Sequence, residues 1–86
     1  MFYNEIEIWW TEDVVFAYKN GVLWQHGGKP WVRACSCCAT SEQLREWKSR
    51  GIQIGGTIDE AKLGGYPTEK EWDAIEEMAK DGRRLP

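Results

Sequence analysis

Cys35, Cys37 and Cys38 place three thiols within four consecutive positions, in the stretch RACSCCATSEQLREW. Thiolates ligate soft metals, act as nucleophiles and exchange disulfides, so this is the first place to look for chemistry. What the cluster can do depends on the backbone that carries it. The residues WVRACSCC suit a pleated, half-buried surface and predict a strand. On a strand, Cys35 and Cys37 share one face roughly 7 Å apart while Cys38 points to the other. The thiols then diverge instead of converging on a tetrahedral ion, and C-x-C-C is not the C-x-x-C spacing of a zinc knuckle. His26 joins as a fourth ligand only if a turn at 27–30 folds it back onto the cysteines. Cys35 and Cys38 do have redox spacing, but without a helix start at Cys35. The expectation is three reduced, metal-free cysteines at a strand end, acting as small apolar side chains, with no cofactor.

Other reaction chemistry has little to stand on. The chain holds a single histidine, no nucleophile elbow and no H-E-x-x-H, so a nucleophile has no base beside it. GGK lacks the upstream glycine of a phosphate loop, and GIQIGG is no dinucleotide fingerprint. Glu5 with Glu7, and Glu69 with Glu71, read as a solvated strand face and an acidic helix start. An enzyme is not expected.

The elements that must position these residues follow from pattern. In MFYNEIEIWW, Ile6, Ile8 and Trp10 alternate with Glu5, Glu7 and Trp9, which predicts a strand. In VVFAYKNGVLWQH, Asn20-Gly21 supplies the two positive-φ residues of a type I′ turn. That hairpin pairs Lys19 with Val22, Tyr18 with Leu23 and Ala17 with Trp24. Its faces follow: Val14, Phe16, Tyr18 and Leu23 on one, and Val15, Ala17, Val22, Trp24 and His26 on the other. GGKP turns the chain into the cysteine-bearing strand. Thr40 with Gln43 forms a capping box for a helix over 41–50, stopped by Gly51, with Leu44 and Trp47 on one face. IQIGG is either a short strand or an extended connection. TIDEAKLGG predicts one or two helical turns, capped by Thr57 with Glu60. Thr68 with Glu71 caps the strongest helix, with Trp72, Ile75, Met78 and Ala79 as its buried stripe and Gly82 as its stop. Arg83 and Arg84 follow at its negative end. The fold expected is a single α+β domain, a three- to four-stranded antiparallel sheet packed against two main helices.

Composition bounds the function. The 86 residues are 42% hydrophobic and 29% charged, with six tryptophans among the aromatics, a globular and not a disordered balance. A formal charge of −3 leaves no electrostatic footprint for duplex nucleic acid. No apolar run approaches the ~20 residues of a membrane span, and acids stand where a signal peptide would be basic. A cytoplasmic protein with reduced thiols is expected. Trp9, Trp24 and Trp31 could stack single-stranded bases, but Glu5, Glu7, Glu12 and Asp13 would repel the phosphates.

The aromatic excess points instead to a protein partner. If both helices cover one sheet face, the other apolar hairpin face stays available, with Tyr18, Trp24, Trp31 and Arg33 as anchors of the types enriched at interfaces. Stoichiometric protein binding is therefore the expected function. A small metal-binding or single-stranded nucleic-acid-binding module is the alternative.

Three segments in order, AYKNG, TSEQLREW and AIEEMAKDGRRLP, give the chain a resemblance to the small phage-encoded anti-CRISPR proteins of the type I-F group. The resemblance implies an antiparallel sheet with two helices, and inhibition in the host cytoplasm. It would act by binding the backbone subunit of a CRISPR surveillance complex so that guide RNA cannot pair with target DNA. Only Tyr18 falls on a matched contact position. The connection from Trp47 to the last helix is much longer here than in those proteins, and the cysteine cluster has no counterpart in them.

Overall fold

The computed structural model describes residues 1–27, 31–55 and 65–84. Five strands, β1 (Phe2–Tyr3), β2 (Ile6–Trp10), β3 (Val15–Lys19), β4 (Val22–His26) and β5 (Val32–Arg33), form an antiparallel sheet whose spatial order is the chain order. A 3₁₀ turn (Ser36–Cys38) leads into α1 (Ser41–Ser49), and α2 spans Glu69–Arg84. The α+β class holds, with one strand more than expected at the N-terminal edge. No helix among the described residues is long and apolar enough to cross a membrane. The helical turns expected around Thr57 and Glu60 lie outside the described residues, as do Gly28 to Pro30 of the GGKP turn.

The central hairpin has the expected register: Lys19 pairs with Val22, Tyr18 with Leu23 and Ala17 with Trp24. Asn20 (φ 53°) and Gly21 (φ 78°) both take the left-handed conformation that a type I′ turn requires. β1 was not expected. Tyr3 pairs with Ile6 across Asn4 and Glu5, and Asn4 reaches φ 53° without glycine, as asparagine tolerates better than most residues.

The two helices pack on opposite faces of the sheet, which corrects the expectation of a bare apolar face. Strand alternation sends Ile6, Ile8, Val15, Ala17 and Trp24 to one side, where Ile75 and Ala79 of α2 cover them. Phe16 and Leu23 point the other way, against Trp47 of α1, Ala34 and Ile52. The apolar residues of the hairpin thus serve two thin cores.

Both capping boxes form. Thr40 and Gln43 exchange hydrogen bonds at 3.0 and 3.1 Å, and Thr68 and Glu71 at 2.8 and 3.2 Å. Glu71 Oε1 also accepts from Lys19 Nζ at 2.7 Å, tying the end of β3 to the first turn of α2. The Lys19 hydrogen bond, then the Thr68 backbone N–H, hold the Glu71 carboxyl below its usual range. A carboxylate with a depressed folded pKa stabilises fully above its unfolded pKa, and the contribution disappears as pH falls through the folded value. Glu71→Gln should therefore lower the melting temperature at neutral pH, and the gap from the parent should close as the pH falls below about 4. A gap independent of pH would show that the carboxylate's charge has no part in it.

Gly82 departs from its expected role. It lies inside α2, which runs on to Arg84, and it does not take a positive φ. A Cβ built there would overlap the six-membered ring of Trp10, so this glycine permits a close approach between α2 and β2. In an exposed helix Gly→Ala gains about 1 kcal/mol, whereas forcing an extra methyl into a packed contact costs about 1–3 kcal/mol. Gly82→Ala should lower the melting temperature despite the better helix former. A rise would mean that Trp10 moves aside freely.

Candidate metal centre

β5 contributes two paired residues before the chain leaves the ladder. Trp24 pairs with Arg33 and Gln25 with Val32, and Ala34 N–H donates to Leu23 O at 2.9 Å. At Cys35 the acceptor changes. Its N–H donates to the side-chain Oε1 of Gln25 at 2.9 Å, and the chain leaves the sheet. Within six residues it must reach the Thr40 cap of α1, and a 3₁₀ turn makes that reversal through Cys38 N–H to Cys35 O (3.4 Å) and Ala39 N–H to Ser36 O (3.5 Å). Positions three apart eclipse one another in such a turn.

The consequence overturns the strand-based expectation for the thiols. Cys35 Sγ and Cys38 Sγ lie 3.4 Å apart, Cys37 Sγ and Cys38 Sγ 3.6 Å, and all three sulfurs fall within 4.8 Å of one another. They converge. Gln25 Nε2 also lies 3.8 Å from Cys38 Sγ, so one amide holds both ends of the turn. Cys38 packs against the α1-side core, Cys35 is half-buried and Cys37 is exposed.

Crowding three thiols separates their acidities. Cys35 is brought down to about 7, chiefly by the hydrogen bond from the Cys37 thiol, with Cys38 adding to it against the opposing effect of burial. Cys37 is pushed up to about 11, chiefly by its hydrogen bonds to Cys35 and then Cys38. Negative charge therefore settles first on Cys35. An ion with ~2.3 Å bonds to sulfur in tetrahedral array needs sulfurs ~3.8 Å apart, so the 3.4 and 3.6 Å pairs need open only slightly. Such an ion would replace the thiol protons and neutralise the three thiolates.

His26 does not belong to this group. It follows Gln25 on β4 and so points to the opposite sheet face, stacked on Trp72 at 4.0 Å and edge-on to Trp31 at 5.2 Å. Burial, partly offset by Glu76, lowers its pKa.

Of the four residues expected to anchor a partner, Trp24 and Arg33 are cross-strand neighbours, but no single surface holds all four. Trp24 (1% exposed) and Trp31 (8%) are part of the α2-side core, so their rings are not surface anchors. Tyr18 is half-buried on the α1 side with Phe16 and Trp47, and Arg33 is half-buried and engaged on β5. Gln25, absent from the expected site, is the residue that sequence reasoning missed. Its signal was positional: register places it opposite Val32, facing the side to which the cysteine turn folds.

No known family model, curated protein or solved structure matches the chain.

Proposed function

We propose that this chain is a small thiolate metal-binding protein, in which Cys35, Cys37 and Cys38 hold a soft cation of the zinc or copper(I) class. The observation that carries the reading is the convergence of the three sulfurs within 4.8 Å. Thiolates favour such ions over hard cations, which prefer oxygen. Gln25 acts as the supporting group, fixing the turn that presents the thiols. Three sulfurs complete a trigonal shell, and in a tetrahedral shell they leave one place for a further ligand. The test is titration of the reduced protein with cobalt(II) and then zinc. Thiolate-to-cobalt charge-transfer absorption that zinc abolishes at one equivalent supports the site, and native mass spectra showing only the bare chain with zinc in excess would refute it.

Stoichiometric protein binding, the class implied by the anti-CRISPR resemblance, is a second reading. It is favoured by the exposed Phe2 (62%) and Val32 (44%), which stand on the two edge strands where a partner's strand can add. Its test is direct: cells carrying type I-F immunity and expressing the chain should become permissive to a targeted phage. Unchanged resistance with the protein present and folded rejects it.

A further inference from the structure

The three thiols are not equivalent as redox partners. Cys37 and Cys38 are adjacent, and their Cα atoms, ~3.8 Å apart across a trans peptide, are closer than the usual ~4.4–6.8 Å of a disulfide. Cys35 and Cys38 are free of that restriction. Their sulfurs are already the closer pair at 3.4 Å, and closing to a bond needs ~1.4 Å of movement. The turn between them is suited to give way, since it is a three-residue 3₁₀ segment held by hydrogen bonds of 3.4 and 3.5 Å. Gln25 binds Cys35 through its backbone N–H and Cys38 through its sulfur, so it keeps the two ends together while the side chains rotate. Exposed Ser36 and Cys37 leave the segment open to a small reagent.

We infer that the site is redox-gated: a low-molecular-weight disulfide of the oxidised-glutathione class converts Cys35 and Cys38 into a disulfide and releases the metal ion. The inference rests on the metal-binding reading and adds its regulation. The Cys35 thiolate attacks one sulfur of the reagent RSSR, forming a Cys35–SR mixed disulfide and expelling one RS⁻. The Cys38 thiolate then attacks Cys35 Sγ, forming the Cys35–Cys38 bond and expelling the second RS⁻. Two electrons pass from the two cysteine sulfurs to the reagent, and each RS⁻ takes a proton from solvent. The cation loses two of its three thiolates and departs to water, leaving Cys37 as a single thiol. A dithiol reductant reverses the sequence.

The test uses the full chain loaded with zinc and exposed to oxidised glutathione, with released zinc read by a chromophoric chelator and the disulfide located by peptide mass mapping after alkylation. The expected result is one zinc released per Cys35–Cys38 disulfide, with affinity for zinc falling by at least ~100-fold and returning on reduction. Cys37→Ser, oxidised without metal, should still form the Cys35–Cys38 bond. Cys38→Ser should stop at the mixed disulfide. Circular dichroism establishes that each variant is folded. Zinc retained in a chain carrying the Cys35–Cys38 bond, or a bond mapped to Cys37 and Cys38, overturns the gating alone. A reduced chain that never binds zinc overturns the metal reading and the gating with it.

Discussion

Replacing Trp47 by alanine is expected to remove a large fraction of the chain's stability and to lower its urea midpoint sharply. Trp47 is the only buried residue of α1, and it is fully enclosed. Its indole meets Phe16 edge-on at 5.0 Å and Trp9 at 5.4 Å, so its loss opens the α1-side core and removes that helix's main anchor. A buried Trp→Ala change costs about 3–5 kcal/mol. At about 0.05–0.15 kcal/mol per residue, a domain of this size has a total stability of about 4–13 kcal/mol, so the change takes a large fraction of it. Trp9 cannot hold α1 alone. Its Nε1 donates to Glu46 at 2.9 Å and Arg50 grips Glu7 through a two-pronged pair at the helix end, but these contacts bury no apolar surface to replace the lost indole. Trp47→Phe should be much milder. The ring keeps most of its contacts, and the variant removes a buried indole N–H that finds no acceptor among the described residues, a defect of about 1–3 kcal/mol. Urea denaturation of the two variants measures the contrast. Equal losses would mean that the enclosed volume is not what the tryptophan contributes.

The second large effect belongs to Cys38→Ser. Cys38 is the middle sulfur of the trio, 3.4 Å from one neighbour and 3.6 Å from the other, and the two remaining thiolates cannot enclose an ion. Affinity for zinc should fall at least ~100-fold, because even the loss of an outer supporting group typically lowers metal affinity 10–100-fold. Gln25→Leu, which removes such a supporting group, should fall within that smaller range. The pH dependence has a definite sign. With Cys37 held up to about 11, the ion must displace at least its proton at neutral pH, so affinity rises with pH by at least ~10-fold per unit. Competition titrations against a chelator of known pH dependence measure both effects. A flat pH profile would show that Cys37 does not ligate.

Local signals were readable where one residue type is needed for a backbone conformation. Asn20-Gly21 set the hairpin register, and the two capping boxes set the start of each helix, because these patterns act within four residues. The missed features depend on residues distant in sequence. β1 exists because Phe2 and Tyr3 find β2, and no glycine marks its turn at Asn4. Gly82 looked like a helix stop until Trp10 was placed beside it. The cysteine segment has the composition of a strand, but where it leaves the ladder its backbone is held by groups distant in sequence, Cys35 N–H by the side-chain amide of Gln25 and Ala34 O by Gly55 N–H. The placement of a helix on each face also lay beyond the pattern. Alternation showed two apolar faces but not which helix covers which, and with that the availability of Trp24 and Trp31 was misjudged.

The strand order has a consequence for the way the chain folds. Every strand pairs with its neighbour in sequence, so each step of sheet assembly closes a short loop at small entropic cost. The helices are the exception, and α2 above all. Its ties to the sheet span long stretches of chain, 52 positions from Lys19 to Glu71, and Gly82 must come back to Trp10. During synthesis from the N-terminus, the sheet can therefore assemble before α2 exists, with Ile8, Ala17 and Trp24 uncovered on that face. The nascent chain passes through a stage at which this face of the sheet is complete and unprotected, until α2 (Glu69–Arg84) has been made and closes it.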